Sequence, residues 1–108
     1  MTRLEISFNI AENYAKQYAE FNGLTDEDKR HVVNGLLSIV NWYNKQEELG
    51  DKTPAHGFLG SFLEGVVKND FIKAVTNADP VNFRCLAVYA RFIFNIMPKD
   101  YREKAKLL

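Results

Sequence analysis

Along most of this chain, apolar side chains return every three or four residues, in runs interrupted by Gly, Pro and small polar residues. That rhythm follows the turn of an α-helix, about 3.6 residues, rather than the alternation of a strand. Ile10, Tyr14, Tyr18 and Phe21 form the first run, and Val33, Leu36, Leu37, Val40 and Tyr43 the second. Phe58, Leu59, Phe62, Leu63, Val66 and Val67 follow. Phe83, Leu86, Tyr89, Phe92, Ile93 and Met97 make the last long run, a stripe expected to be buried. Trp42 stands beside the second stripe, at its expected border. The fold expected is all-α: a compact bundle of five or six helices forming a single domain over residues 1–108.

The punctuation between runs has the chemistry of helix ends. Asn9 and Glu12 have capping-box spacing, with Asn in the place of Ser or Thr. Gly23 stops the first helix. Thr25 before Asp26, Glu27 and Asp28 is a cap followed by acids on the positive end of the helix dipole. Gly50 is a stop, and Thr53 with Pro54 suits the cap and first position of the next helix. That helix breaks near Asn69, and Asp70 caps a short one. Asp79 and Pro80 start the next helix, Pro98 ends it, and Asp100 caps a final turn. Leu4, Ile6 and Phe8 alternate with polar residues, but no second strand is there to pair with them. Three readings of residues 3–8 stand: an extended arm, an extension of the following helix, or an arm pairing with a second copy.

Composition narrows function more than it identifies it. Lys plus Arg equals Asp plus Glu, 14 each, so no net field draws the chain toward nucleic acid or acidic membranes. The tail, with Lys99, Arg102, Lys104 and Lys106, is the one basic candidate, and Asp100 and Glu103 interrupt it. A single cysteine, Cys85, forbids an intrachain disulfide. No leader pattern and no membrane-length apolar run is present, so the default expectation is the cytoplasm.

Motifs for chemistry are sparse. His31 and His56 lack ligand-spaced neighbours, so no metal and no cofactor is expected. Cys85 reads as a buried, inert thiol. Ser61, between Gly60 and Phe62, does not form a nucleophile elbow. Residues 56–60 carry two glycines but neither the lysine nor the strand of a phosphate loop. A helix beginning near Pro54 would nevertheless present free N–H groups, where Lys52 or His56 could help hold an anion. Asp70 and Asp79 are explained as caps. Asn69 and Asn82 are less easily set aside, and Asn95 suits a backbone bond across a helix gap. The candidate ligand site is therefore Lys52 and His56 with the turn at Asn69 and Asp70.

From Gly60 to Pro98 the chain resembles a family of small bacteriophage-encoded helical proteins of unknown function. The pattern runs through Gly60, Phe62-Leu63, Gly65, Val66-Val67 and Asn69-Asp70-Phe71, then Ala74, Ala78-Asp79 and Asn82. It continues through Leu86, Tyr89, Phe92, Asn95 and Pro98. Residues 35–43 look like the family's preceding helix. The Cys-Trp-Gly-Ser-like stretch often found at the end of such proteins is absent, and residues 1–22 are particular to this member. The resemblance implies a phage or prophage accessory protein in a bacterial cytoplasm, with no activity attached.

Together these readings point to binding without catalysis, by a homodimer or larger assembly. One form is capture of a host protein or host-defence component through exposed aromatics, Tyr14, Trp42 and Tyr43. Another is sequestration of a small nucleotide signal by helix N-termini and a stacking ring, which favours a symmetric oligomer. The alternative is a nucleic-acid-binding accessory protein using the basic tail.

Overall fold

The computed structural model describes residues 3–108. Among them are eight helices and no strand: α1 (Phe8–Ala15), α2 (Ala19–Asn22), α3 (Asp26–Leu49), α4 (Ser61–Val67), α5 (Phe71–Asn77), α6 (Pro80–Arg84), α7 (Leu86–Ile96) and α8 (Tyr101–Ala105). The all-α expectation holds, while the helix number is larger than five or six. Two of the expected helices are each split in two. The first breaks at residues 16–18, where Tyr18 turns extended (φ −115°, ψ 129°). Arg91 stacks 5.3 Å from the Tyr18 ring, and Asn22 Nδ2 donates to Lys16 O at 2.7 Å, so tertiary contacts favour the break. The second break falls at Cys85 (φ −99°, ψ 15°).

Most caps are where the residue types put them. Thr25 Oγ1 accepts from Asp28 N, Asp70 Oδ1 from Lys73 N, and Asp79 Oδ1 from Asn82 N. Each satisfies an N–H that the helix itself leaves free. The exceptions are instructive. Ser7, not Asn9, caps α1, accepting from Ile10 N. Thr53 and Pro54 start no helix: residues 50–60 form a loop, and α4 begins at Ser61 with Gly60 as its cap. Asp100 holds the cap position of α8 but makes no capping bond.

The 24-residue α3 is the axis of the molecule. It touches α1, α4, α6 and α8, so it buries more than one stripe. Val32, Val33, Leu36, Ile39, Val40, Trp42 and Tyr43 are all in the core. Trp42 is fully enclosed rather than at the border, because α3 has neighbours on several sides. Gly35 lies under the Tyr89 ring, where an added Cβ would stand 2.7 Å from the hydroxyl.

Residues 3–7 are neither helix nor strand, so they do not extend α1, and Ser7 is extended (φ −80°, ψ 167°). Leu4 N–H donates to Asn44 Oδ1 at 2.9 Å, and Asn44 Nδ2 donates back to Leu4 O at 3.0 Å. Buried Asn44 thereby takes the place of a neighbouring strand, and the arm is fastened to α3.

Candidate functional site

Helix α7 carries apolar residues on both of its faces, with Arg91 and Asn95 the exposed polar ones. Its sequence, Leu-Ala-Val-Tyr-Ala-Arg-Phe-Ile-Phe-Asn-Ile, has one charged residue, Arg91. Val88, Tyr89, Phe92 and Ile93 pack inward. Ala87, Ala90 and Phe94 face outward, opposite the buried stripe. Phe83, one turn before them on α6, is also exposed, which corrects its expected place in the buried stripe. Phe94 is 69% exposed, Phe83 58% and Phe71, on α5, 67%. A helix with apolar residues on both faces normally has neighbours on both.

The ridge is flanked by a groove. Val66, Phe71, Ala74, Leu86 and Ala90 line a cleft of about 290 Å³ between the α4–α5 turn and α7. Asn69 and Asp70 form its lip. Asn69 adopts the left-handed conformation (φ 57°) that carries the chain from α4 into α5. That conformation suits Asn. Asp70 is occupied as the α5 cap, so both residues sit at a site while serving the turn. Beyond them the groove continues past Phe94 to Tyr101 and Arg102. Lys99 Nζ lies 4.8 Å from the centre of the Phe94 ring.

The other expected site residues lie elsewhere. Lys52 and His56 are exposed on the 50–60 loop. The helix start that was to supply N–H groups for an anion beside them is not there. Trp42 and Tyr43 are buried, not exposed, so neither ring offers a surface for a partner; both are claimed by the packing around α3. The indole Nε1–H of Trp42 has no hydrogen-bond partner among the described residues. Tyr14 is half-buried against Phe92, with ring centres 5.4 Å apart. Its hydroxyl accepts from Asn95 Nδ2 at 2.8 Å, so Asn95 bonds a side chain rather than backbone. Asn82 Oδ1 accepts from the Tyr89 hydroxyl. His31 stands 3.6 Å from Asp79. Among the described residues no three His, Cys, Asp or Glu side chains are grouped to hold a metal ion, and no helix is long and apolar enough to cross a membrane. Burial raises the Cys85 thiol pKa, with Arg84 only partly opposing it.

A second cleft, about 610 Å³, lies between the end of α3 and α8, lined by Glu47, Asp51, Asp100, Glu103 and Lys104 among others. Its charges largely satisfy one another. Lys104 Nζ is 2.6 Å from Glu47 and 2.9 Å from Asp100, and the Tyr43 hydroxyl donates to Asp100 at 2.6 Å. Burial pushes the Asp100 carboxyl up, but hydrogen bonds from Lys104 and Tyr43 and the Lys104 charge outweigh it and leave it lowered. Burial likewise pulls Lys104 down, and its two carboxylate partners more than reverse that. A depressed carboxylate stabilises the fold above its unfolded pKa and loses that contribution as pH falls. A raised ammonium stabilises below its unfolded pKa and loses it as pH rises. The cluster is therefore fully effective between those limits, across neutral pH. Lys104→Met should cost about 1–2 kcal/mol at neutral pH, given charged hydrogen bonds discounted for the half-exposed Asp100. Thermal melts should show this gap closing as pH drops below 3.8, the ordinary Asp value. A gap that persists in strong acid would refute the ion-pair account.

No family model, curated protein or solved structure matches this chain. Fold and geometry define exposed apolar residues on α6 and α7 beside a groove closed by α5.

Proposed function

We propose that this chain is a non-enzymatic accessory protein that acts by binding, with the α6–α7 ridge and Phe71 as its contact surface. The observation that carries the reading is the outward apolar face of α7. Phe71, Phe83 and Phe94, each more than half exposed, leave roughly 400 Å² of aromatic surface in water, taking about 200 Å² for a whole side chain. Phe71 and Phe94 both border the groove beside Ala90, and apolar surface exposed beside a groove is often functional. The reading moves the contact surface away from Trp42 and Tyr43. The resemblance to small phage-encoded proteins supports a role toward a host factor or host-defence component in a bacterial cytoplasm.

Photo-crosslinking tests it. Phe94 is replaced by p-benzoylphenylalanine, with exposed Lys45 replaced in the same way as control. Irradiation in expressing bacteria should give protein adducts at position 94, self-adducts included, and far fewer at position 45. Equal yields at the two positions would defeat the proposal.

A further inference from the structure

Resting on that binding reading, we infer that the groove beside Phe94 takes a peptide segment of a partner protein, apolar at one end and acidic at the other. Three clefts join into this groove through shared lining residues. The apolar cleft between the α4–α5 turn and α7 holds Val66, Phe71, Leu86 and Ala90. A middle cleft of about 160 Å³ shares Asn69 and Ala90 with it and adds Phe94 and Arg102. A third, about 240 Å³, shares Asn69 and Arg102 and adds Lys68 and Lys106, with no carboxylate in its lining. The groove thus runs from an apolar end at α5 to a basic end at α8.

Charge selects the occupant. The Arg102 guanidinium makes no ion pair among the described residues and lies 5.9 Å from the centre of the Tyr101 ring. Lys106 meets only Glu103, in a pair whose side chains are 71% and 73% exposed. Such a pair contributes little and gives way easily. Lys68 Nζ donates to Leu108 O at 3.1 Å, which leaves two of its three N–H groups for a ligand. At the apolar end the one charge is Asp70, already engaged as the α5 cap. A nucleic-acid strand needs cations along its whole track, and the apolar cleft has none. A peptide with bulky apolar residues followed by acids matches both ends.

Asn69 supplies a grip on a main chain. It lines all three clefts. Its Oδ1 receives one long contact, 3.5 Å from the Tyr101 hydroxyl, and its Nδ2 has no partner among the described residues. Elsewhere in this protein the same side-chain type holds a segment by both backbone groups: Asn44 accepts from Leu4 N and donates to Leu4 O. Asn69 brings the same two groups to the middle of the groove.

Selection from random short peptides displayed on yeast tests the inference. Recovered sequences should carry aromatic or aliphatic residues with Asp and Glu to one side of them. A fluorescein-labelled representative should bind the chain by fluorescence anisotropy. Lys68→Glu with Arg102→Glu should weaken it about tenfold or more, and Lys45→Glu, on the exposed end of α3, should leave it unchanged. Asn69→Gly should weaken it about fivefold, the scale of one net hydrogen bond. Glycine adopts φ 57° freely, so the turn itself is kept. All variants should keep the helical circular-dichroism spectrum. No acidic–apolar class among the recovered peptides, or binding indifferent to these substitutions, overturns the inference. Oligothymidylate or phosphatidylglycerol vesicles that bind more tightly than any recovered peptide, and let go in the double variant, overturn it in favour of nucleic acid or lipid. Position-94 adducts formed only between copies of the chain overturn it in favour of self-pairing. The two readings fail separately. Position-94 adducts with another protein, but no acidic peptide selected, overturn the peptide and keep the contact surface. Equal adducts at positions 94 and 45, with no peptide selected, overturn both.

Discussion

Gly65→Ala is expected to lower the unfolding free energy by about 2 kcal/mol, a drop of roughly 10 °C in the melting midpoint for a chain of this size. On an open helix the same change would stabilise by about 1 kcal/mol, because alanine is the better helix former. Here packing decides the sign. A Cβ on Gly65 would stand 2.5 Å from the backbone nitrogen of Ala74 and 2.9 Å from its Cα. These are backbone atoms, so no side-chain rotation relieves the overlap, and α5 must move off α4. The α4–α5 turn resists that movement, since Asp70 N–H donates to Gly65 O at 2.8 Å. Gly60 provides the control. Nothing lies within 4 Å of the Cβ that alanine would add there, so Gly60→Ala should change stability by less than about 1 kcal/mol. Urea titrations of the two variants decide it. A Gly65→Ala protein as stable as the wild type would mean that the two helices do not touch so closely.

The second large effect is expected at Gln46. This side chain is fully buried, and it holds the loop that joins α3 to α4. Its Nε2 donates to Gly50 O at 2.9 Å and Thr53 O at 2.8 Å, while its Oε1 accepts from Ala55 N at 2.8 Å. Gln46→Leu keeps the volume and removes all three bonds. Ala55 is buried, so its N–H is left without water or protein to bond. With a penalty of about 1–3 kcal/mol for an orphaned buried group, plus the lost bonds, a cost of about 3 kcal/mol follows. Gln46→Glu should be no gentler, because it sets a carboxylate oxygen against two carbonyls. Hydrogen exchange reads the local effect: the Ala55 amide should exchange far faster in Gln46→Leu relative to amides in the middle of α3. Unchanged protection at Ala55 would show that something other than Gln46 fixes the loop.

Both residues show how much of this protein is visible in one dimension. Gly65 is on view in the sequence as a small residue within an apolar run, but its partner, the backbone of α5, is not. Gln46 reads as one more polar residue near the end of a helix, with no signal that it would be enclosed. Asn44 and Asp100 are similar. One holds the N-terminal arm, and the other meets Tyr43 and Lys104 in place of capping α8. Phe94 could have been found from periodicity. Ala87, Ala90 and Phe94 form a second stripe opposite the buried one, but a search for a single apolar face per helix passes over it. Trp42 and Tyr43 are the converse case, enclosed where periodicity leaves them open. Aromatic residues suggest contact surfaces, yet α3 has neighbours on several sides and encloses both rings.

The sequence by itself determined the all-α class and most helix starts. Periodic burial and capping act over three or four residues, so Thr25, Asp70, Asp79 and Pro98 carry their meaning with them. Tertiary structure decided the breaks at Tyr18 and Cys85, the ten-residue loop after Gly50, and which side of each apolar helix is left open to water. Those outcomes depend on groups distant along the chain meeting in space, where enclosure sets the energy of an amide, a ring or a missing Cβ.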